Sequence, residues 1–286
     1  MAEQLHRRGL EVTLVEAAPQ ILAPLDPEMA VRVRAELEAH GVCVLTSNPI
    51  VGFEEPTTAT PTPNGATTGA QDSDVLLKDG QRLPADVVVL GLGVRPDTAL
   101  ARAAGLPVSD KGGSILVDKH LRTKGDPRVW AVGDCIEVPN PVLGGGWMVP
   151  LARPANRQGR MVADNICRSS SGGEEGVASP PPLSVYRGTL GTAALRCFRL
   201  TAASMGANKR MLREKGVPFQ CVHVHPSSHA RYYQGARPVA LKLLWERETG
   251  RVVGAKAVGE DGVDKRVDVL AAAVQAGLTV DDVAEV

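Results

Sequence analysis

Apolar positions change their spacing along the chain, and each change marks an element. Residues 2–9 read as the body and end of a helix, with Leu5 apolar, Arg7 and Arg8 in the last turn and Gly9 just past it. Leu10 to Glu16 is then a β-rich run that ends in an acid. Asp26-Pro27-Glu28 opens a second helix, with Asp26 as N-cap and Pro27 at the first position, and Gly41 closes it after His40. Val42 to Leu45 reads as a short strand, and Val75 to Leu83 as a hairpin turning at Asp79-Gly80. The unbroken apolar runs Asp86–Leu90 and Val129–Val132 read as strands buried in a parallel sheet. Asp97 or Thr98 caps a short helix ending near Gly105, and a longer helix covers Leu151 to Arg168.

Beyond residue 168 the pattern breaks. Residues 169–182 are Ser, Gly and Glu followed by three prolines, the best domain boundary in the chain. Strands follow near 187–200, 218–225, 238–246 and 251–258, with helices near 205–215 and 263–276. That mixture is an α+β unit with an antiparallel sheet. Val280 to Val283 looks like a new helix start, so a cut at the C-terminus is expected. The stretch 55–74, rich in Pro, Thr, Gly and Ala, reads as a flexible insertion. The expected fold class is α/β: partial doubly wound Rossmann-like domains followed by the α+β unit. The expected divisions are 1–90 (a partial nicotinamide-nucleotide-binding domain), 91–171, a linker at 172–182, and 183–286.

Composition narrows the function classes. The formal net charge is zero, so nothing points to nucleic acid or an acidic membrane surface as partner. No apolar run approaches the roughly 18 residues of a membrane span. The five cysteines, Cys43, Cys135, Cys167, Cys197 and Cys221, include no C-x-x-C pair, and no metal site is expected. An odd, unpaired set suits a reducing compartment, and the cytoplasm is the expected location.

Helix, short turn, strand and terminal acid form the second half of a dinucleotide-binding βαβ unit. There the acid follows the Gly-rich fingerprint by about 20 residues and hydrogen-bonds a ribose hydroxyl. Glu16 is that acid, and counting back from it puts the fingerprint before Met1, so an N-terminal cut is expected as well. An acid suits a free 2′-hydroxyl, which favours NADH over NADPH.

Val129-Trp130-Ala131-Val132-Gly133-Asp134, preceded by Thr123, resembles the second FAD-contact motif of the pyridine nucleotide-disulfide oxidoreductases. The resemblance implies that Asp134 accepts a hydrogen bond from a ribityl hydroxyl and that Gly133 lets the backbone approach the cofactor. Gly91-Leu92-Gly93-Val94-Arg95-Pro96-Asp97 resembles the family's segment on the nicotinamide side, with Asp97 in place of the usual Asn. Pro150-Leu151-Ala152, followed by Asn156-Arg157-Gln158-Gly159-Arg160, resembles the helix start beneath the flavin, whose positive dipole end faces the N1/O2 edge.

His229-Ala230-Arg231-Tyr232-Tyr233-Gln234-Gly235 resembles a loop of the coenzyme A-disulfide reductase and NADH oxidase subgroup, with Gln234 where Pro is usual. In that subgroup tyrosines of one subunit reach the active site of the other, so the resemblance implies that Tyr232 and Tyr233 contact substrate in a homodimer. The implied cofactors are FAD and NAD(P)H. The implied reaction passes hydride from NADH to FAD and then electrons to a disulfide such as coenzyme A disulfide, or to a persulfide. A family NADH oxidase and a non-catalytic dimerising remnant are the alternatives. The subgroup's redox cysteine lies upstream of Met1, so no catalytic nucleophile is assigned, and the chain by itself is expected to be inactive.

Overall fold

The computed structural model describes residues 1–54, 73–170 and 182–285. Most of the expected insertion and nearly all of the expected linker lie outside the described residues. Ser73 and Asp74, assigned above to the insertion, already pair in a strand.

The chain opens with α1 (Ala2–His6), β1 (Thr13–Glu16), α2 (Pro27–Ala39) and β2 (Cys43–Thr46). β1 and β2 run parallel, with Thr13 opposite Cys43 and Glu16 opposite Thr46. The expected strand from Leu10 starts only at Thr13, because Gly9 (φ +82°) and the bond from Leu10 N to Leu5 O are still turning the chain away from α1. An antiparallel ribbon follows: β3 (Ile50–Glu54), β4 (Ser73–Leu77) and β5 (Arg82–Ala85). Next come α3 (Ala99–Ala103), a small mixed sheet of β6 (Ile115–Leu116), β7 (Ile136–Pro139) and β8 (Gly146–Trp147), and the long helix α4 (Ala152–Ser170).

Two expected strands do not form. Asp86–Leu90 is irregular, with Val87 71% and Leu90 58% exposed. A parallel strand exists only through its neighbours' ladder bonds, and no described strand runs beside this one. Val129–Val132 makes one isolated bridge, Trp130 to Arg122, before the chain turns at Gly133.

The last part holds β9 (Ala193–Cys197), β10 (Leu200–Gly206), α5 (Lys209–Glu214), β11 (Phe219–Val224), β12 (Val239–Glu246), β13 (Val252–Gly259), α6 (Val263–Ala276) and α7 (Val280–Ala284). The five strands make one antiparallel sheet in the order β11-β12-β13-β10-β9. The helix expected from 205 begins only at Lys209, because β10 runs on to Gly206 and Asn208 then caps α5 by accepting Met211 N at 2.9 Å. β13 is buried along its whole length, as a central strand covered on both faces must be. Its small residues admit close neighbours: a Cβ on Gly254 would lie 2.1 Å from the carbonyl oxygen of Ala207.

One face of this sheet packs on α6, through Val263, Val267, Leu270 and Val274. The other face packs on the first part of the chain, where Met29, Val33 and Leu37 of α2 share a core with Phe198, Ala202, Ala240 and Val258. Two polar clamps reinforce that joint. In the first, Asp26 is fully buried, and its carboxylate accepts from Lys209 N at 2.9 Å and from the ammonium of buried Lys242. The expected side-chain cap on α2 is therefore absent, since this carboxylate is spent on the sheet. Lys242 also reaches Glu28 at 2.7 Å, which Lys209 meets at 3.0 Å. Burial pushes the Glu28 carboxyl up, but the hydrogen bonds from Lys242, its own backbone and Lys209 outweigh it and hold the pKa at about 2.

In the second clamp, the tip of the β9–β10 hairpin inserts between α1 and α2. Phe198 N donates to Glu3 at 2.9 Å, the Phe198 ring stacks on His40 at 3.9 Å, and Arg199 forks onto buried Glu36. Phe198 adopts φ +51°, the left-handed turn that swings its ring toward the helices.

Candidate functional site

The turn Gly133–Cys135 links the irregular segment at Val132 to β7. Gly133 takes φ +81°, a conformation cheap only for glycine, and its N–H donates to Gln158 Oε1 at 2.7 Å. A Cβ built there would sit 3.7 Å from Ala155 Cβ, so the turn lies against the first turns of α4. Cys135 Sγ donates to Val132 O at 3.3 Å. Burial pushes that thiol up, and the adjacent Asp134 charge adds to the shift. Asp134 itself is exposed and makes no hydrogen bond or ion pair among the described residues.

Pro150 leads into α4, with Leu151 half-buried and Ala152 its first residue. The first amides of a helix have no intrahelical acceptor, so this end is a ready anion or dipole site. Thr123 is not presented to it: the side chain is buried, and its hydroxyl donates to Asp126 O at 2.8 Å. Gly91 and Gly93 are exposed and face open space, Gly93 at φ +82°.

Glu16 stands at the carboxyl end of β1, where ligands of parallel sheets bind. One of its oxygens accepts Ala18 N at 2.8 Å, which fixes the side chain and leaves the other free among the described residues. Tyr232 and Tyr233 lie on a loop between β11 and β12, 93% and 71% exposed. A hydrogen-bond chain closes that loop: Arg237 N donates to Ser228 Oγ, which contacts His229 Nδ1, while His229 Nε2 lies 3.2 Å from Gln234 O. Arg266 of α6 fastens it from below through the carbonyls of Ser227 and Ser228.

The structure thus brings Gly133, Asp134 and the start of α4 together. No hydrogen bond or ion pair among the described residues joins that group to Glu16, to Gly91 and Gly93, or to the two tyrosines.

Residues 1–159 match the family profile of the pyridine nucleotide-disulphide oxidoreductases, and residues 192–286 match the dimerisation domain of the same family. The chain belongs to this family. A curated relative, NADH oxidase of Methanocaldococcus jannaschii, is 30% identical over 275 residues, which is 96% of this chain and 54% of that protein. Coenzyme A disulfide reductase of Staphylococcus epidermidis is 28% identical over 283 residues, 99% of this chain and 57% of that one. The chain spans about half the length of the curated relatives it matches.

Among solved structures, reduced CoADR-RHD of Bacillus anthracis superposes with a TM-score of 0.86 at 40% identity, covering all of this chain and 46% of that one. An NAD-dependent persulfide reductase from A. fulgidus gives 0.86 at 34% identity, with 100% and 48% covered.

Within this family fold, sequence reasoning placed Gln158 in the helix-start motif but not its bond to Gly133, and it missed Asn165, the buried Lys242 that meets Asp26, and the buried Lys256. Gln158 and Asn165 are polar side chains on the buried face of α4, at 3% and 0% exposure. They share that face with Val162 at helical spacing, a signal that periodicity carries. The buried Asp26, Lys242 and Lys256 are far apart in sequence, and no local pattern brings them together. No helix among the described residues is long and apolar enough to cross a membrane.

Proposed function

We propose that this chain serves an FAD-dependent NAD(P)H oxidoreductase acting on a small-molecule disulfide, such as coenzyme A disulfide, or on a persulfide. The observation that carries the reading is Asp134: an exposed carboxylate, unpartnered among the described residues, on a glycine turn that lies against the start of α4. The donor set fits a flavin. A ribityl hydroxyl has an acceptor in Asp134, Gly133 gives the backbone room, and Pro150, Leu151 and Ala152 open a helix whose positive end suits the pyrimidine edge of the ring. FAD, when bound, supplies the two-electron relay between nicotinamide and disulfide.

The chain's own residues position the reactants. Glu16, pinned by Ala18 N, offers its free oxygen to a ribose hydroxyl of NADH. Gly91 and Gly93 leave the nicotinamide side unobstructed. Tyr232 and Tyr233 are substrate contacts offered to a second copy in a homodimer. Cys43, Cys135, Cys197 and Cys221 are free thiols, in keeping with the cytoplasm. None is assigned as nucleophile, and burial disfavours the thiolate at Cys135. The relative named NADH oxidase favours a second reading, in which oxygen takes the electrons.

The protein is expressed from its complete reading frame, purified, and examined for a flavin absorption spectrum and for NADH oxidation with coenzyme A disulfide or oxygen. Bound flavin with disulfide-dependent turnover supports the first reading, and oxygen-dependent turnover alone supports the second. A colourless protein that takes up no added FAD refutes both and leaves a dimerising module without redox chemistry.

A further inference from the structure

We infer that Gln158 is a positioning residue for the flavin: its side-chain oxygen holds the Gly133 amide and so sets Asp134 in register with the N-terminal end of α4. The inference rests on the reading of Asp134 as a flavin ligand and deepens it.

A buried amide side chain among apolar neighbours costs free energy unless it is hydrogen-bonded, so its partner identifies its use. Gln158 is 3% exposed on the face of α4 that also carries Val162, and its Oε1 lies 2.7 Å from Gly133 N. The turn Gly133–Cys135 has no side-chain cap of its own, and Gly133 sits at φ +81°. Its opening amide therefore depends on an acceptor from outside the turn, and Gln158 provides it. Ala155, one turn earlier on α4, meets the same glycine at 3.7 Å and sets how closely the two elements approach. The two elements offered to the flavin, the carboxylate turn and the helix start, are thus locked together by one hydrogen bond and one small contact. A shift of about an ångström between them would misplace a donor or an acceptor on the cofactor.

The test uses the protein from its complete reading frame and three variants, Gln158→Leu, Gln158→Glu and Asp134→Ala. The readouts are the FAD dissociation constant from flavin fluorescence, hydrogen exchange over residues 130–136, and the melting temperature of the apoprotein. Expected is about tenfold weaker FAD binding and faster exchange at Gly133 in Gln158→Leu. Gln158→Glu, which keeps an acceptor, stays within about threefold of the parent. Equal losses in Leu and Glu, with matching falls in melting temperature, would overturn the inference in favour of simple packing. Unchanged FAD binding in Gln158→Leu alongside a loss in Asp134→Ala would overturn the inference and spare the Asp134 reading. No effect of Asp134→Ala, or no FAD uptake by the parent, would overturn that reading and the inference with it.

Discussion

Lys256 of β13 lies directly across the ladder from Lys242 of β12, and both are sealed from water. Lys242 has Asp26 and Glu28 as counter-ions, whereas among the described residues Lys256 Nζ reaches only the carbonyls of Met205 at 2.9 Å and Gly206 at 3.3 Å. Burial drives its pKa from 10.5 down to about 7; the attraction of Asp26 opposes the fall and the charge of Lys242 adds to it. The folded pKa lies below the unfolded one, so between pH 7 and 10.5 the unfolded chain holds more protons and stability rises with pH. At about 1.4 kcal/mol per unit, this lysine costs about 4 kcal/mol at pH 7 and about 2 kcal/mol at pH 9. Lys256→Met keeps the side-chain length and removes the charge, but deprives two carbonyls of a donor, a loss of about 2 kcal/mol in total. The variant is therefore expected to be about 2 kcal/mol more stable than the parent at pH 7 and equal to it at pH 9. Urea denaturation followed by tryptophan fluorescence at the two pH values measures this. A variant-minus-parent difference that stays constant from pH 7 to pH 9 refutes the assignment of the pH dependence to Lys256.

Asp26→Ala removes the buried counter-ion of Lys242, leaves it Glu28 alone and deprives Lys209 N of its acceptor; it is expected to cost about 3 kcal/mol, read as a lower urea midpoint, and a change below about 1 kcal/mol would count against the first clamp. Phe198→Ala withdraws the hairpin tip from between α1 and α2 and is expected to cost about 3 kcal/mol in the same assay. An unchanged midpoint there would mean that the ring stack contributes nothing. Glu16→Ala is expected to raise KM for NADH about tenfold while leaving KM for NADPH nearly unchanged, as loss of one charge-assisted hydrogen bond predicts; parallel shifts for both nucleotides would remove Glu16 from the ribose site.

What the sequence revealed follows local rules. Gly250 between two apolar-rich runs gives the β12–β13 hairpin, and the helix start read at Val280–Val283 is α7, where Thr279 and Asp282 bond reciprocally. Gly133-Asp134 was singled out by a motif resemblance and Glu16 by its place at the end of a β-rich run. Asp86–Leu90 misled because an apolar run specifies a strand only when a neighbour supplies the ladder. Asp26 marks the start of α2 as expected, but the use of its carboxylate was not readable, because its counter-ion Lys242 lies 216 residues on. Gln158 was visible as a polar residue at a core spacing, yet its partner across the turn was not.

The helix α2 belongs to the first family match, residues 1–159, yet it forms the second layer of the sheet in the dimerisation segment. The boundary between the two family profiles is thus not a boundary of packing. A recombination that exchanged everything after residue 192 would import a sheet shaped to a foreign helix, leaving Asp26, Glu28 and His40 facing the wrong partners. Change on one side of this joint obliges change on the other. The two segments are heritable units in name, but α2 and the hairpin tip must evolve as a pair.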